Sequence, residues 1–187
     1  MVYIFCGLFC AGKSTVGKLC AERLSLPFYD TDRLIEEQEG QGKAVGHIWK
    51  EIGNEAFREL ESALICSLNP STAIISTGGG ALLQERTRMH LKKIGVSIYL
   101  KASVEILFQR IVQRGLPPYL DKSRPFEHLK EIAQQRFPIY EKHCPYMIET
   151  ENTTPAEVTE KIWEAIVSGK FSGSQLGESP TGKPLEL

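Results

Sequence analysis

The stretch Gly7-Leu8-Phe9-Cys10-Ala11-Gly12-Lys13-Ser14 constrains this chain more than any other, because it satisfies GxxxxGK(S/T) in full. Its glycines permit backbone turns that point amide N–H groups inward onto an anion. A helix starting directly after it adds unpaired N–H groups and the positive end of its dipole. Lys13 has the reach for the β- and γ-phosphates of a nucleoside triphosphate, and the Ser14 hydroxyl is a ligand for Mg²⁺. The plain alternative is a glycine turn with no ligand. The flanks argue against it: Val2–Cys6 is a short β-rich apolar run, and Lys13–Leu24 carries Val16, Leu19, Cys20 and Leu24 at helical spacing.

The same alternation continues along the chain. Strands are expected at Leu26–Tyr29, Ala73–Thr77, Val96–Leu100 and Tyr146–Glu149. Helices are expected at Glu55–Leu68, Leu82–Lys93, Val104–Gln113, Phe126–Lys142 and Pro155–Val167, with Pro138 ending or bending the fourth. Thr153 or Thr154 caps the last helix and Pro155 occupies its first turn. Residues 114–124, with Gly115, Pro117 and Pro118, read as a mobile segment, and 168–187 as a flexible tail beyond a single domain of 1–167. Alternating strands and helices specify an α/β fold with a parallel sheet and crossover helices. Ligands of such sheets gather beyond the carboxyl ends of the strands. Three expected strands end in chemically loaded sequence: Gly7–Ser14, Asp30-Thr31-Asp32 and Gly78-Gly79-Gly80. That topology brings the three together.

A formal net charge of −1 gives no footing for nucleic-acid or membrane binding driven by bulk charge. No apolar run approaches the roughly 20 residues of a membrane span, and the apolar start runs into the glycine loop as a strand, not a leader. The five cysteines are scattered without CxxC spacing, which points to free thiols in a reducing cytosol.

Asp30 and Asp32 lie two apart, on one side in extended backbone but separated by a turn. One suits the water shell of a metal and the other a substrate hydroxyl; the plain reading is a helix cap, with Asp30 or Thr31 starting the helix. Gly78–Gly80 is either a tight connection or a surface that lets a small polar ligand approach. Arg58 and Glu61 share a helix face, as a solvated ion pair or as a fork for a substrate carboxylate. Arg136 lies on an otherwise ordinary amphipathic helix.

These pieces, GLFCAGKSTVGK, FYDTD, GNEAFRELE, STGGG and QQRFPIYEK, occur in the order of the shikimate kinase family, which the chain closely resembles over about residues 2–167. The resemblance implies a three-layer α/β/α P-loop kinase fold with a five-stranded parallel sheet and a mobile lid at about 114–124. It implies transfer of the γ-phosphate of ATP to the 3-hydroxyl of shikimate, with Mg²⁺, in a cytoplasmic monomer. Gly12, Lys13, Ser14 and Thr15 would hold the phosphates together with Cys10 and Ala11, and Ser14 would ligate the metal. Asp32 would accept from the reacting hydroxyl. Arg58 and Arg136 would bind the shikimate carboxylate, Glu61 would orient Arg58, and Gly78, Gly79 and Gly80 would line the same substrate. Arg110 and Pro155 would sandwich the adenine.

Two departures stand out. Cys10 replaces the middle glycine of the family's GxxGxGK loop, placing a thiol near the phosphates. The lid reads Pro117-Pro118-Tyr119-Leu120 where the family has RPLL, so the arginine that reaches the transferred phosphate is missing. Arg114 is the preferred substitute and Arg124 the alternative. A short insertion spans about Glu39–Ala44. Two rival readings remain. One is a kinase of another metabolite such as gluconate or a nucleotide, though a nucleotide acceptor calls for more phosphate-gripping arginines. The other is a nucleotide-binding regulator that has lost catalysis, which the missing arginine favours and Asp32, Arg58 and Arg136 oppose.

Overall fold

A computed structural model describes residues 1–40 and 42–171. Its centre is β1 (Val2–Cys6), whose five residues are all buried, as in a strand covered on both faces. The described residues form one parallel sheet in the order β2-β3-β1-β4-β5, with β2 at Phe28–Asp30, β3 at Ala73–Ser76, β4 at Gly95–Lys101 and β5 at Tyr146–Glu149. The helices are α1 (Lys13–Leu24), α2 (Thr31–Gln38), α3 (Val45–Ser67), α4 (Glu85–Ile94), α5 (Val104–Arg114), α6 (Pro125–His143) and α7 (Pro155–Val167). They complete the three-layer α/β/α arrangement: α1 packs on α7, α2 and α4 on α3, and α5 on α6. The chain changes direction across the sheet at β1, between β3 on one side and β4 on the other, and Gly7 leaves the sheet at that switch point. No helix among the described residues is long and apolar enough to cross a membrane.

Several local expectations need correction. The helix expected from Glu55 begins ten residues earlier, at Val45. Gly53, at φ 83° and ψ 168°, breaks it into two segments, and the polar first segment, with Trp49 half-buried, was hidden by its composition. Pro138 neither ends α6 nor interrupts it. Proline removes the bond to the carbonyl of Gln134, but both residues face solvent, where water satisfies that carbonyl. Leu129, Ala133 and Tyr140 meanwhile hold the opposite face in the core. Helix α7 starts with a full capping box, the Thr154 hydroxyl accepting from Glu157 N–H while the Glu157 carboxylate accepts from Thr154 N–H.

The packed domain also runs past Val167. Phe171 is buried, with its ring 4.6 Å from Tyr146 and 6.2 Å from Tyr3, so it closes the β5 and β1 side of the core. The rest of the expected tail, 172–187, lies outside the described residues. Phe171→Ala is expected to destabilise the fold by about 3 kcal/mol, read as a lower urea midpoint. An unchanged midpoint would show that this aromatic contact contributes nothing.

Candidate active site

The loop after β1 takes its shape from three residues with positive φ: Gly7 (142°), Cys10 (62°) and Gly12 (96°). A side chain at Gly7 would meet the Leu100 carbonyl at 2.6 Å, so this glycine answers both sterics and backbone. Cys10 holds the left-handed conformation despite its side chain, at a cost of about 1–2 kcal/mol. Gly12 caps α1 with no side-chain acceptor, leaving the first-turn N–H groups for an anion. Lys13 is buried and its ammonium donates to the carbonyls of Gly7 (2.9 Å) and Leu8 (2.7 Å). Burial lowers its pKa, and the Asp32 carboxylate counters that. Ser14 and Thr15 are exposed on the first turn, Ala11 is buried and Cys10 half-buried.

At the end of β2 the two aspartates divide their roles. Asp30 is the cap of α2, accepting from the N–H groups of Asp32 (3.1 Å) and Arg33 (3.4 Å). The turn it makes directs Asp32 elsewhere, toward the phosphate loop. Thr31, between them, accepts from Gly78 N–H at 2.9 Å and ties the end of β2 to the glycine run after β3. Solvent reaches an edge of Asp32, but protein surrounds the carboxyl and desolvation pushes its pKa up to about 7. The neighbouring Glu61 carboxylate adds to that rise, while Lys13 opposes it.

The glycine run is a surface against which charged groups pack. A Cβ at Gly78 would fall 2.1 Å from Glu61 Oε1 and 2.7 Å from Asp32 Oδ1. One at Gly80 would fall 2.2 Å from an Arg58 nitrogen. Any side chain at either place would evict a carboxylate or a guanidinium. Arg58 is ion-paired with Glu61 through Nη1 and Oε2, both nearly excluded from solvent. Glu61 Oε1 and Arg58 Nε are buried without hydrogen-bond partners. Arg136 donates to the Gly79 carbonyl at 2.8 Å, and Tyr140, one turn along α6, donates to the same oxygen at 2.5 Å. Desolvation lowers the pKa of Arg136, and the Arg58 charge lowers it further, so the two guanidiniums converge. A pair of like cations around a glycine floor has the chemistry to take a compact carboxylate.

Arg110 spans 3.4 Å to the Cys10 carbonyl and donates to Thr150 through Oγ1 (3.2 Å) and the carbonyl (2.5 Å). This anchors the phosphate loop to the segment leading into α7, where Pro155 is exposed and the Thr153 hydroxyl is buried without a partner. The two lid arginines differ. Arg124 is engaged by Glu131 (2.7 Å) and Asp121 (3.4 Å). Arg114 is exposed one turn beyond Arg110, with no hydrogen bond or ion pair among the described residues. Neither is ion-paired with Asp32 among the described residues. Sequence reasoning missed Thr31, Thr153, Tyr140 and the aromatic trio Phe9, Trp49 and Tyr119. Only Tyr140 left a signal, its four-residue spacing from Arg136.

The chain is similar to known proteins in sequence and in fold. A family model described as shikimate kinase matches residues 9–167. The shikimate kinase of Thermodesulfovibrio yellowstonii is 37% identical over 171 residues, 89% of this chain and 97% of its own. That of Corynebacterium glutamicum is 35% identical over 161 residues, 86% and 94%. Among solved structures, a shikimate kinase from Acinetobacter baumannii in complex with shikimate has a TM-score of 0.80 at 32% identity, covering 91% of this chain and 94% of that one. One from Aquifex aeolicus has a TM-score of 0.77 at 28% identity, covering 92% and 100%. A gluconokinase from Sinorhizobium meliloti, at 0.54 and 14% over 89% and 91%, shares the fold alone.

The electrostatics of Asp32 can be measured directly. Its carboxyl carbon, followed by NMR, is expected to titrate near pH 7. In Glu61→Gln the neighbouring negative charge is gone, so ionising Asp32 becomes easier and the midpoint falls. A midpoint that stays or rises would remove Glu61 from the control of Asp32.

Proposed function

The chain belongs to the shikimate kinase family, and we propose that Arg58, Arg136 and Asp32 hold shikimate while the loop Gly7–Ser14 delivers the γ-phosphoryl group of ATP to its 3-hydroxyl. The activity is that of an ATP-dependent kinase. The observation that best supports these residue roles is the convergence of Arg58 and Arg136 over the glycine run, beside Asp32 and on the same sheet edge as Lys13.

In this reading the two guanidiniums take the shikimate carboxylate, Glu61 keeps Arg58 in place, and Gly78, Gly79 and Gly80 let the ring lie against backbone. Asp32 accepts from the hydroxyl. Because phosphoryl transfer runs through a loose transition state, it aims the oxygen lone pair first and takes the proton as the bond forms. Lys13 leaves the loop carbonyls of Gly7 and Leu8 for the β- and γ-phosphate oxygens. The N–H groups from Cys10 to Thr15 hold the remaining oxygens. Arg110 and Pro155 flank the adenine, with Thr153 offering a hydroxyl at the same edge.

A kinase of this class uses Mg²⁺ with ATP, and the exposed Ser14 hydroxyl beside the phosphate cradle suits a hard cation. When bound, the ion supplies charge neutralisation across the β- and γ-phosphates; Ser14 is the residue that would hold it. Arg114, without an ion pair among the described residues, is the arginine available to complete the charge clamp, whereas Arg124 is held by two carboxylates.

An ADP-release assay tests the acceptor: turnover with shikimate is expected. Turnover with gluconate or a nucleotide instead would reassign the substrate, and none with any acceptor would favour a regulator. Arg58→Ala is expected to raise KM for shikimate by a factor on the order of 100 while leaving KM for ATP near that of the parent. Equal losses on both would refute the carboxylate role. Arg114→Ala is expected to lower kcat much more than Arg124→Ala, and the reverse order would transfer the role to Arg124.

A further inference from the structure

The segment joining α5 to α6 lies down over the site and turns one polar aromatic side chain inward. The Tyr119 ring packs edge-on against Phe9 of the phosphate loop, with centroids 5.1 Å apart, and against Trp49 of α3, at 5.9 Å. It thereby bridges the nucleotide side and the acceptor side. The posture is supported on both flanks. Pro118 rests on Gly46, where a Cβ would come within 2.7 Å of the proline ring. Leu120 is buried, and its N–H donates to the Pro117 carbonyl at 3.1 Å. Beyond it, Asp121 N–H donates to His128 Nδ1 at 2.9 Å, and Arg124 is tied to Glu131.

Burial raises the pKa of the Tyr119 phenol, and the negative charge of Asp32 raises it further, so the group stays protonated at neutral pH. The charged and titratable groups that bear on it come from every side of the site: Asp32 from α2, Cys10 from the phosphate loop, Arg136 from α6 and Arg58 from α3. Asp32 and Cys10 flank the path from the phosphate loop to the acceptor hydroxyl. Packed between Phe9 of the phosphate loop and Trp49 of α3, the Tyr119 ring borders that path.

We propose that Tyr119 is a catalytic residue of the lid, its O–H donating a hydrogen bond to an oxygen of the phosphoryl group as it passes from the loop Gly7–Ser14 to the acceptor beside Asp32. The proton stays on the phenol throughout; the bond is made to the phosphoryl group in flight, its charge spread over three oxygens, and is weak before transfer. Tyr119 brings a neutral donor on a segment already held down by Pro118 and Leu120. The ring, seated between Phe9 and Trp49, keeps water from the same oxygens.

This inference rests on the shikimate reading, and the experiment separates the two. Tyr119→Phe keeps the ring and removes the donor. It is expected to lower kcat with shikimate about 10- to 100-fold at unchanged KM for ATP. Tyr119→Ala removes the ring as well and is expected to raise the ADP formed per shikimate phosphorylated. Parent-like kcat in Tyr119→Phe overturns the proposal, as does a loss carried equally by KM for ATP, which would mark a structural role. A parent protein that is silent with shikimate overturns the acceptor reading first, and this inference with it.

Discussion

Five ionisable groups share one small volume at the carboxyl edge of the sheet: Lys13, Arg58 and Arg136 against Asp32 and Glu61. Everything else at the site serves to make that crowding tolerable. Burying a charge is costly unless it is paired, and pairing must be close to succeed in a low dielectric. Arg58 and Glu61 meet that demand mutually, behind Gly78 and Gly80. Asp32 meets it poorly, which is why its proton is held so tightly. Three cations stand there against two carboxylates, so the cluster carries more positive than negative charge even with Asp32 ionised, and anionic ligands are what balance it. The site is thus most favourably filled by the molecules it acts on.

The glycine run is the structural counterpart of that charge arrangement. A carboxylate, a guanidinium and a second guanidinium reach its backbone from α3 and α6, two helices far apart in sequence. Because they contact backbone atoms, their placement depends on the end of β3 staying registered with β1 and β2. Thr31 secures this by accepting from Gly78, and Tyr140 shares the Gly79 carbonyl with Arg136. Packing remote from the chemistry, such as the buried face of α6, therefore sets the spacing of the two guanidiniums.

The lid shows the same logic with different chemistry. Its aromatic contacts join Phe9, Trp49 and Tyr119 from three separate segments. A neutral phenol among them avoids adding a fourth cation to a cluster already rich in positive charge.

Much of this was legible in the sequence because some constraints are local. The loop Gly7–Ser14 dictates its own conformation through glycine and its own ligand through backbone N–H groups, so a phosphate site could be read from eight residues. The periodicity of apolar residues likewise determined a parallel α/β sheet, and strand ends placed Asp32 and Gly78–Gly80 beside that loop. Other decisions needed the tertiary structure. Whether Asp30 caps a helix or joins the site depends on where α2 begins. Helix α6 runs through Pro138 because the lost bond faces water, and Phe171 belongs to the core because Tyr3 and Tyr146 leave room for it. The pKa of Asp32 and the inward turn of Tyr119 arise from groups distant in the chain. Desolvation and Coulomb energies depend on distance in space, and a sequence records only distance along the backbone.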